Sequence, residues 1–212
     1  MQNREQATQL YNAAVAAVQP ANLIPQYIEV KSDGIHIAGE FIQANKQSVI
    51  VIGAGKAAAA MAQTTEAILG DFIKTGLIVT KYEHALPLKH IQLMEAAHPV
   101  PDEKSMEAVQ QTIQLLQQTQ PGDVIVCLIS GGASSLWADV PDGCNLQEVQ
   151  ETFQLLLKSG AAIDEMNCVR RHLSSIKGGQ LLRYAPKAKW FTLMISDVPG
   201  DKLEAIASGP TS

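Results

Sequence analysis

The sequence predicts an α/β fold in three layers, a mostly parallel sheet with helices on both faces. Two observations carry this. Apolar, β-branched runs at 49–52, 76–80, 124–129 and 189–195 alternate with helical stretches, the pattern of strands joined by crossover helices. The run 124–129 is apolar without a break, between Pro121-Gly122 and a glycine pair, as expected of a strand buried on both faces.

The elements follow in order. Leu10, Ala13, Ala14, Ala17 and Val18 form a helical stripe over 3–19, which Pro20 stops. Segments 27–30 and 34–38 flank an Asp33-Gly34 pair, a hairpin signal, and this small hairpin is expected at the edge of the main sheet. The strand 49–52 leads through Gly53-Ala54-Gly55-Lys56 into an alanine-rich helix over 57–69. Strands at 76–80 and 91–97 come next, then an extended His98-Pro99-Val100-Pro101. Asp102 caps a helix reaching Gln118. After the strand 124–129, Pro141-Asp142-Gly143 reads as a turn, 146–158 and 162–173 as helices, and 175–184 as a helical piece weakened by Gly178-Gly179. The strand 189–195 is followed by a short helix over 203–207. No closing element is recognisable after it, so the chain reads as stopping partway through a larger unit.

Composition narrows the function classes. The 212 residues are 46% apolar and 17% charged, which suits a soluble globular core. A net charge of −5 and the lack of a basic stripe argue against nucleic acid as a partner. No apolar run is long enough to cross a membrane, and no signal peptide opens the chain. Cys127, Cys144 and Cys168 fit neither a disulfide frame nor a zinc spacing, so a cytoplasmic location is expected.

Four stretches carry candidate chemistry. Gly53-x-Gly55-x-x-Ala58 after a strand is a variant of the dinucleotide fingerprint. The second strand, however, ends in Val79-Thr80-Lys81, without the carboxylate that would hold a ribose. Lys56 adds positive charge to a helix start, which is unfavourable unless an anion sits there. Ser130-Gly131-Gly132-Ala133-Ser134-Ser135 offers bare backbone and hydroxyls beyond a strand end, where α/β proteins bind ligands. Asn167, Arg170, Arg171 and Ser174 share a helix face ahead of Lys177-Gly178-Gly179 and suit an anionic substrate or a solvated surface. Asp197 and Asp201 bracket Val198-Pro199-Gly200 past a strand end and suit Mg²⁺ binding, base catalysis or simple turn formation.

In this order the Gly53-Ala54-Gly55-Lys56-Ala57, His98-Pro99-Val100-Pro101-Asp102, 130–136, 167–179, Ser196-Asp197-Val198-Pro199-Gly200-Asp201 and 206–211 stretches resemble the glycerate 2-kinases that carry a C-terminal MOFRL domain. The resemblance implies a Rossmann-like N-terminal domain over 1–212, with the MOFRL domain missing. It implies ATP-dependent phosphorylation of D-glycerate to 2-phosphoglycerate, with ATP and Mg²⁺ as cofactors and a homodimer as one possible assembly. Under it, Lys56 and Asp197 are the candidate catalytic residues, Asp197 doubling as metal ligand. Gly53, Gly55, Ser130, Gly131, Gly132, Ser134 and Ser135 are candidates for nucleotide contact, and Asn167, Arg170 and Lys177 for substrate contact. A nicotinamide-dependent hydroxypyruvate reductase and a non-catalytic phosphate- or nucleotide-binding module are the alternatives. The isolated chain is expected to lack kinase activity.

Overall fold

The computed structural model describes residues 2–43, 45–141 and 143–212; Asp142 of the expected 141–143 turn lies outside them. Helix α1 (Gln2–Ala17) and the short α2 (Pro20–Leu23) lead into three strands, β1 (Ile28–Lys31), β2 (Gly34–Ile37) and β3 (Glu40–Ile42). The main sheet is built from β4 (Val49–Ala54), β5 (Ile73–Lys81), β6 (Gln92–Ala96), β7 (Val124–Ser130) and β8 (Lys189–Ile195). Between them run α3 (Ala58–Leu69), α4 (Glu103–Gln117), α5 (Ala133–Leu136), α6 (Leu146–Lys158) and α7 (Ile163–His172).

The five strands are all parallel, in the order β6-β5-β4-β7-β8. Every residue of β4 and β7 is buried, as their unbroken apolar runs require. Alternation along the strands builds two cores. Val49, Val51, Val124 and Val126 face α3, together with Ile28, Ile35, Ile37 and Ile42 of the small sheet. Ile50, Ile52, Ile125 and Cys127 face α4 and α5. Burial pushes the Cys127 thiol far up. Helix α4 starts where Asp102 accepts from Ser105 N at 3.1 Å, a capping box, and Tyr82 Oη donates to the same carboxylate at 2.7 Å.

Three expectations change. The hairpin does not decorate the sheet edge. It gains β3 as a third strand and forms a separate antiparallel sheet lying against α3, because its isoleucines need an apolar face to cover. The helix expected over 175–184 shrinks to a 3₁₀ turn at Gln180–Tyr184, since Gly178 (φ 60°) and Gly179 (φ 75°) are left-handed and end any helix before it. The helix expected over 203–207 is a 3₁₀ turn at Ile206–Ser208. There Ala207 (φ 54°), Ser208 (φ 62°) and Gly209 (φ 59°) are consecutively left-handed, which costs on the order of 1 kcal/mol for each non-glycine residue. The segment is held nonetheless. Gly178 N and Gly179 N donate to Ser208 O (3.0 Å) and Gly209 O (2.7 Å), and Leu181 N to Pro210 O (3.2 Å). No helix among the described residues is long and apolar enough to cross a membrane.

Candidate active site

The strand order reverses between β4 and β7: β5 and β6 extend to one side and β8 to the other. In open α/β sheets this switch point, at the carboxyl ends of the strands, is where ligands bind. The turns after β4 and β7 are laced together there. Lys56 N donates to Gly131 O (3.0 Å) and Ala57 N to Ser130 Oγ (2.9 Å). Gly55 N donates to Val79 O (3.0 Å), and the buried Thr80 hydroxyl donates to Gly55 O (3.2 Å). A Cβ on Gly53 would run into the carbonyl of Leu128, and one on Gly55 into Ser130. Gly53, Gly55 and Ser130 are buried. Within the fold they let two strand ends approach and shape the turn.

The second turn is crowded from above by side chains. The Asp197 carboxylate sits over Gly131, its Cγ 2.8 Å from where a Cβ would be. Gly132 is left-handed (φ 90°), and a Cβ there would lie 2.9 Å from His98 Cδ2 and Nε2 and 3.3 Å from Lys56 Cγ. Four strand ends thus deliver one cluster: Lys56 after β4, His98 after β6, Gly131-Gly132 after β7 and Asp197 after β8. Lys56 and Asp197 are exposed, so the lysine does not sit against a buried side of its turn. Neither forms an ion pair among the described residues. Burial holds the His98 imidazole below the usual histidine range, helped by the Lys56 and Lys81 ammonium groups and opposed by Asp197. The imidazole is accordingly neutral at neutral pH and able both to donate and to accept. In the sequence His98 belongs to an extended segment and to one of the stretches that carry the family resemblance, without a site role of its own. Its place directly after a predicted strand was the signal that would have nominated it.

Beside Gly132 opens a cleft of about 350 Å³. The 98–101 segment forms one wall, α6 the other, and Ser134, Ser135 and Arg170 of α7 complete it. The Arg170 guanidinium stacks 4.5 Å over the Phe153 ring, and its Nε is buried without a partner among the described residues. Burial lowers the guanidinium's affinity for its proton.

With this geometry in view, relatives become informative. The family model described as "Domain of unknown function (DUF4147)" matches residues 6–212. The chain belongs to the DUF4147 family. It is 42% identical over its full length to a protein of Pyrococcus horikoshii named glycerate 2-kinase, spanning 47% of that relative. Over 98% of its length it is 43% identical to an Agrobacterium vitis protein that carries the name hydroxypyruvate reductase, spanning 44% of it. The crystal structure of a Thermotoga maritima glycerate kinase superposes with a TM-score of 0.84 at 35% identity, covering 99% of this chain and 48% of that one. The DUF4147 chain therefore spans about half the length of the relatives it matches.

Of the remaining predicted residues of this DUF4147 domain, Ser134, Ser135 and Arg170 line the cleft, and Asn167 and Lys177 do not. Ser135 Oγ donates to Gly132 O (3.1 Å), bracing the turn, and Ser134 Oγ pairs with Ser208 Oγ (3.0 Å). Asn167 is half-buried on α7 and does not line the cleft. Arg171 departs from the shared polar face by donating to Glu204 O (2.8 Å). Lys177 is not open to a ligand. Its side chain is 4% exposed, and its ammonium donates to Trp137 O (3.1 Å) and lies 3.9 Å from Asp139 Oδ1. Burial pulls its pKa down to about 8, with Asp139 opposing and Arg170 adding. Asp139 accepts in turn from Ser174 Oγ (2.6 Å), Ser175 Oγ (2.8 Å) and Ser175 N. The Lys-Gly-Gly pattern suggested an anion site because sequence does not reveal the counterion supplied from residue 139.

Proposed function

We propose that this chain forms one side of the active cleft of a kinase that transfers the γ-phosphoryl group of ATP to the 2-hydroxyl of D-glycerate, as its N-terminal, Rossmann-like domain. The observation that carries the reading is the convergence of Lys56, His98 and Asp197 on the bare backbone of Gly131-Gly132 at the switch point. Phosphoryl transfer asks for little else: cations and backbone donors around the moving phosphate, and a group to receive the hydroxyl proton. The names of the Pyrococcus and Thermotoga relatives support the same substrate.

In this reading the 2-hydroxyl oxygen attacks the γ-phosphorus, the bond to the ADP oxygen breaks, and the hydroxyl proton passes to Asp197. Lys56 neutralises charge on the transferred phosphoryl group or the glycerate carboxylate. Gly131 and Gly132 make room for Asp197, His98 and Lys56 to close on the turn, so that the nucleotide phosphates meet those side chains there. Arg170 is the remaining candidate for the carboxylate or a phosphate. Mg²⁺ takes one or two carboxylates and completes its shell with phosphate oxygens and water. A single exposed Asp197, with no cluster of three ligands among the described residues, fits a metal that arrives with the nucleotide, and bound there it would neutralise phosphate charge. Free Cys127, Cys144 and Cys168 support a reducing, cytoplasmic setting. A nicotinamide-dependent reductase fits less well. Thr80, in the Val79-Thr80-Lys81 end of β5 where that fingerprint wants a carboxylate, donates its hydroxyl to Gly55 O.

The test is a coupled assay of ATP consumption with and without D-glycerate, run on this chain and on a form extended to the length of the relatives. Glycerate-dependent turnover in the extended form and little in the short one is the expected result. An extended form that oxidises NADH with hydroxypyruvate but ignores ATP would overturn the reading. An NADH fluorescence titration of the short chain adds an independent check.

A further inference from the structure

The cleft beside Gly132 is larger than glycerate alone needs. At about 350 Å³ it falls in the range of small-molecule pockets, and a three-carbon acid would leave most of it empty. Its walls are apolar where glycerate has nothing apolar to offer. Gln150, Phe153, Gln154 and Leu157 line it from one stripe of α6, at spacings of three and four residues. Val100 and Pro101 face them from the segment after β6. Leu157 is 64% exposed and Val100 55% exposed, so both offer apolar surface to a group that enters the cleft. The Gln150 amide donates to Pro101 O (2.8 Å), tying the walls together and leaving its own oxygen to accept. The cleft also runs without interruption to Gly132, Ser134 and Ser135.

We propose that this cleft is the nucleobase pocket: a purine enters between Val100–Pro101 and the Phe153–Leu157 face of α6, with its phosphates directed toward Gly132. The inference rests on the kinase reading for the direction of the phosphates. An aromatic heterocycle is the one part of the reactants that is both flat and apolar on its faces and rimmed by donors and acceptors. The Gln150 oxygen and the Gln154 amide on the stripe are suited to that rim. Arg170, stacked on Phe153, presents its guanidinium where the ring and the phosphate path meet.

The experiment compares two probes by calorimetry on this chain with Mg²⁺: a non-hydrolysable ATP analogue and inorganic tripolyphosphate, which carries the charge without the base. The wild-type chain should bind the ATP analogue at least about tenfold more tightly, the worth of stacking one base. Phe153→Ala and, separately, Leu157→Arg should erase that advantage, the ATP analogue then binding no more tightly than tripolyphosphate. Leu157 is exposed, so its variant folds even if Phe153→Ala does not. Equal binding of the two probes by wild type, an advantage that survives Leu157→Arg, or no binding of either probe would each overturn the proposal. Failure of the kinase reading is separate: it shows as loss of glycerate dependence in the turnover assay, whatever the probes do.

Discussion

Gly53 and Gly55 stand on one side of the switch point, Gly131 and Gly132 on the other, and both pairs are bare for steric reasons of different kinds. A Cβ at Gly53 meets backbone, the Leu128 carbonyl, which cannot move without parting two strands. A Cβ at Gly131 or Gly132 meets the side chains of Asp197, His98 and Lys56. The first pair is required by the sheet and the second by the side chains gathered over it. Glycine in a strand-end turn is thus no evidence of a ligand by itself; what occupies the space the Cβ would take decides it.

Substitutions can break or sharpen this contrast. The largest effect is expected from Gly53→Val, which should cost about 4 kcal/mol or more, because overpacking against backbone has no relaxed solution; thermal melting or loss of soluble protein reads it. Lys56→Met should lower glycerate-dependent turnover of the extended form by at least about 100-fold and leave melting nearly unchanged, since the residue is exposed. A variant with both properties intact would remove Lys56 from the site.

Lys177 behaves like the first pair, satisfied inside the fold, and its signature is in pH. Its folded pKa of about 8 lies below the ordinary lysine value. Between about pH 8 and 10.5 the unfolded chain binds a proton that the folded chain does not, so this group makes stability rise with pH. The full difference is on the order of 3 kcal/mol, and below pH 8 the folded state carries all of that cost. Denaturant melts of wild type and Lys177→Met across this window should differ in slope, the variant being flatter. A smaller effect is expected at Gly132→Val, which should weaken tripolyphosphate binding about tenfold or more through bulk, with calorimetry as the measure. The smallest is a titration shift. In Lys56→Met the His98 pKa, followed by NMR, should move upward but stop short of the ordinary value, because burial is its larger cause.

The fold was legible where periodicity is strong. β4, β5, β7, β8, α4 and α6 fall close to their expected positions because long apolar runs and capping residues such as Asp102 are local signals. The small sheet was mislocated because a hairpin sequence names its own turn and not the surface it covers. Among candidate residues, Lys56, Gly131, Gly132 and Asp197 come together, while Lys177 turns to a carboxylate 38 positions earlier in the chain. Pairings at such separation leave no mark in the residues on either side of them.

The convergence of four strand ends has a thermodynamic consequence. Lys56, His98, Gly131 and Asp197 are distributed over most of the chain, and only the complete order β6-β5-β4-β7-β8 puts them in one place. The unfolded chain does not hold this cluster, so a ligand that uses it favours the folded main sheet over the unfolded chain. Such a ligand at one hundred times its Kd adds about 2.7 kcal/mol to global stability. For this chain, then, the melting temperature is itself a binding assay, able to find the anions and nucleotides it prefers without any turnover to follow.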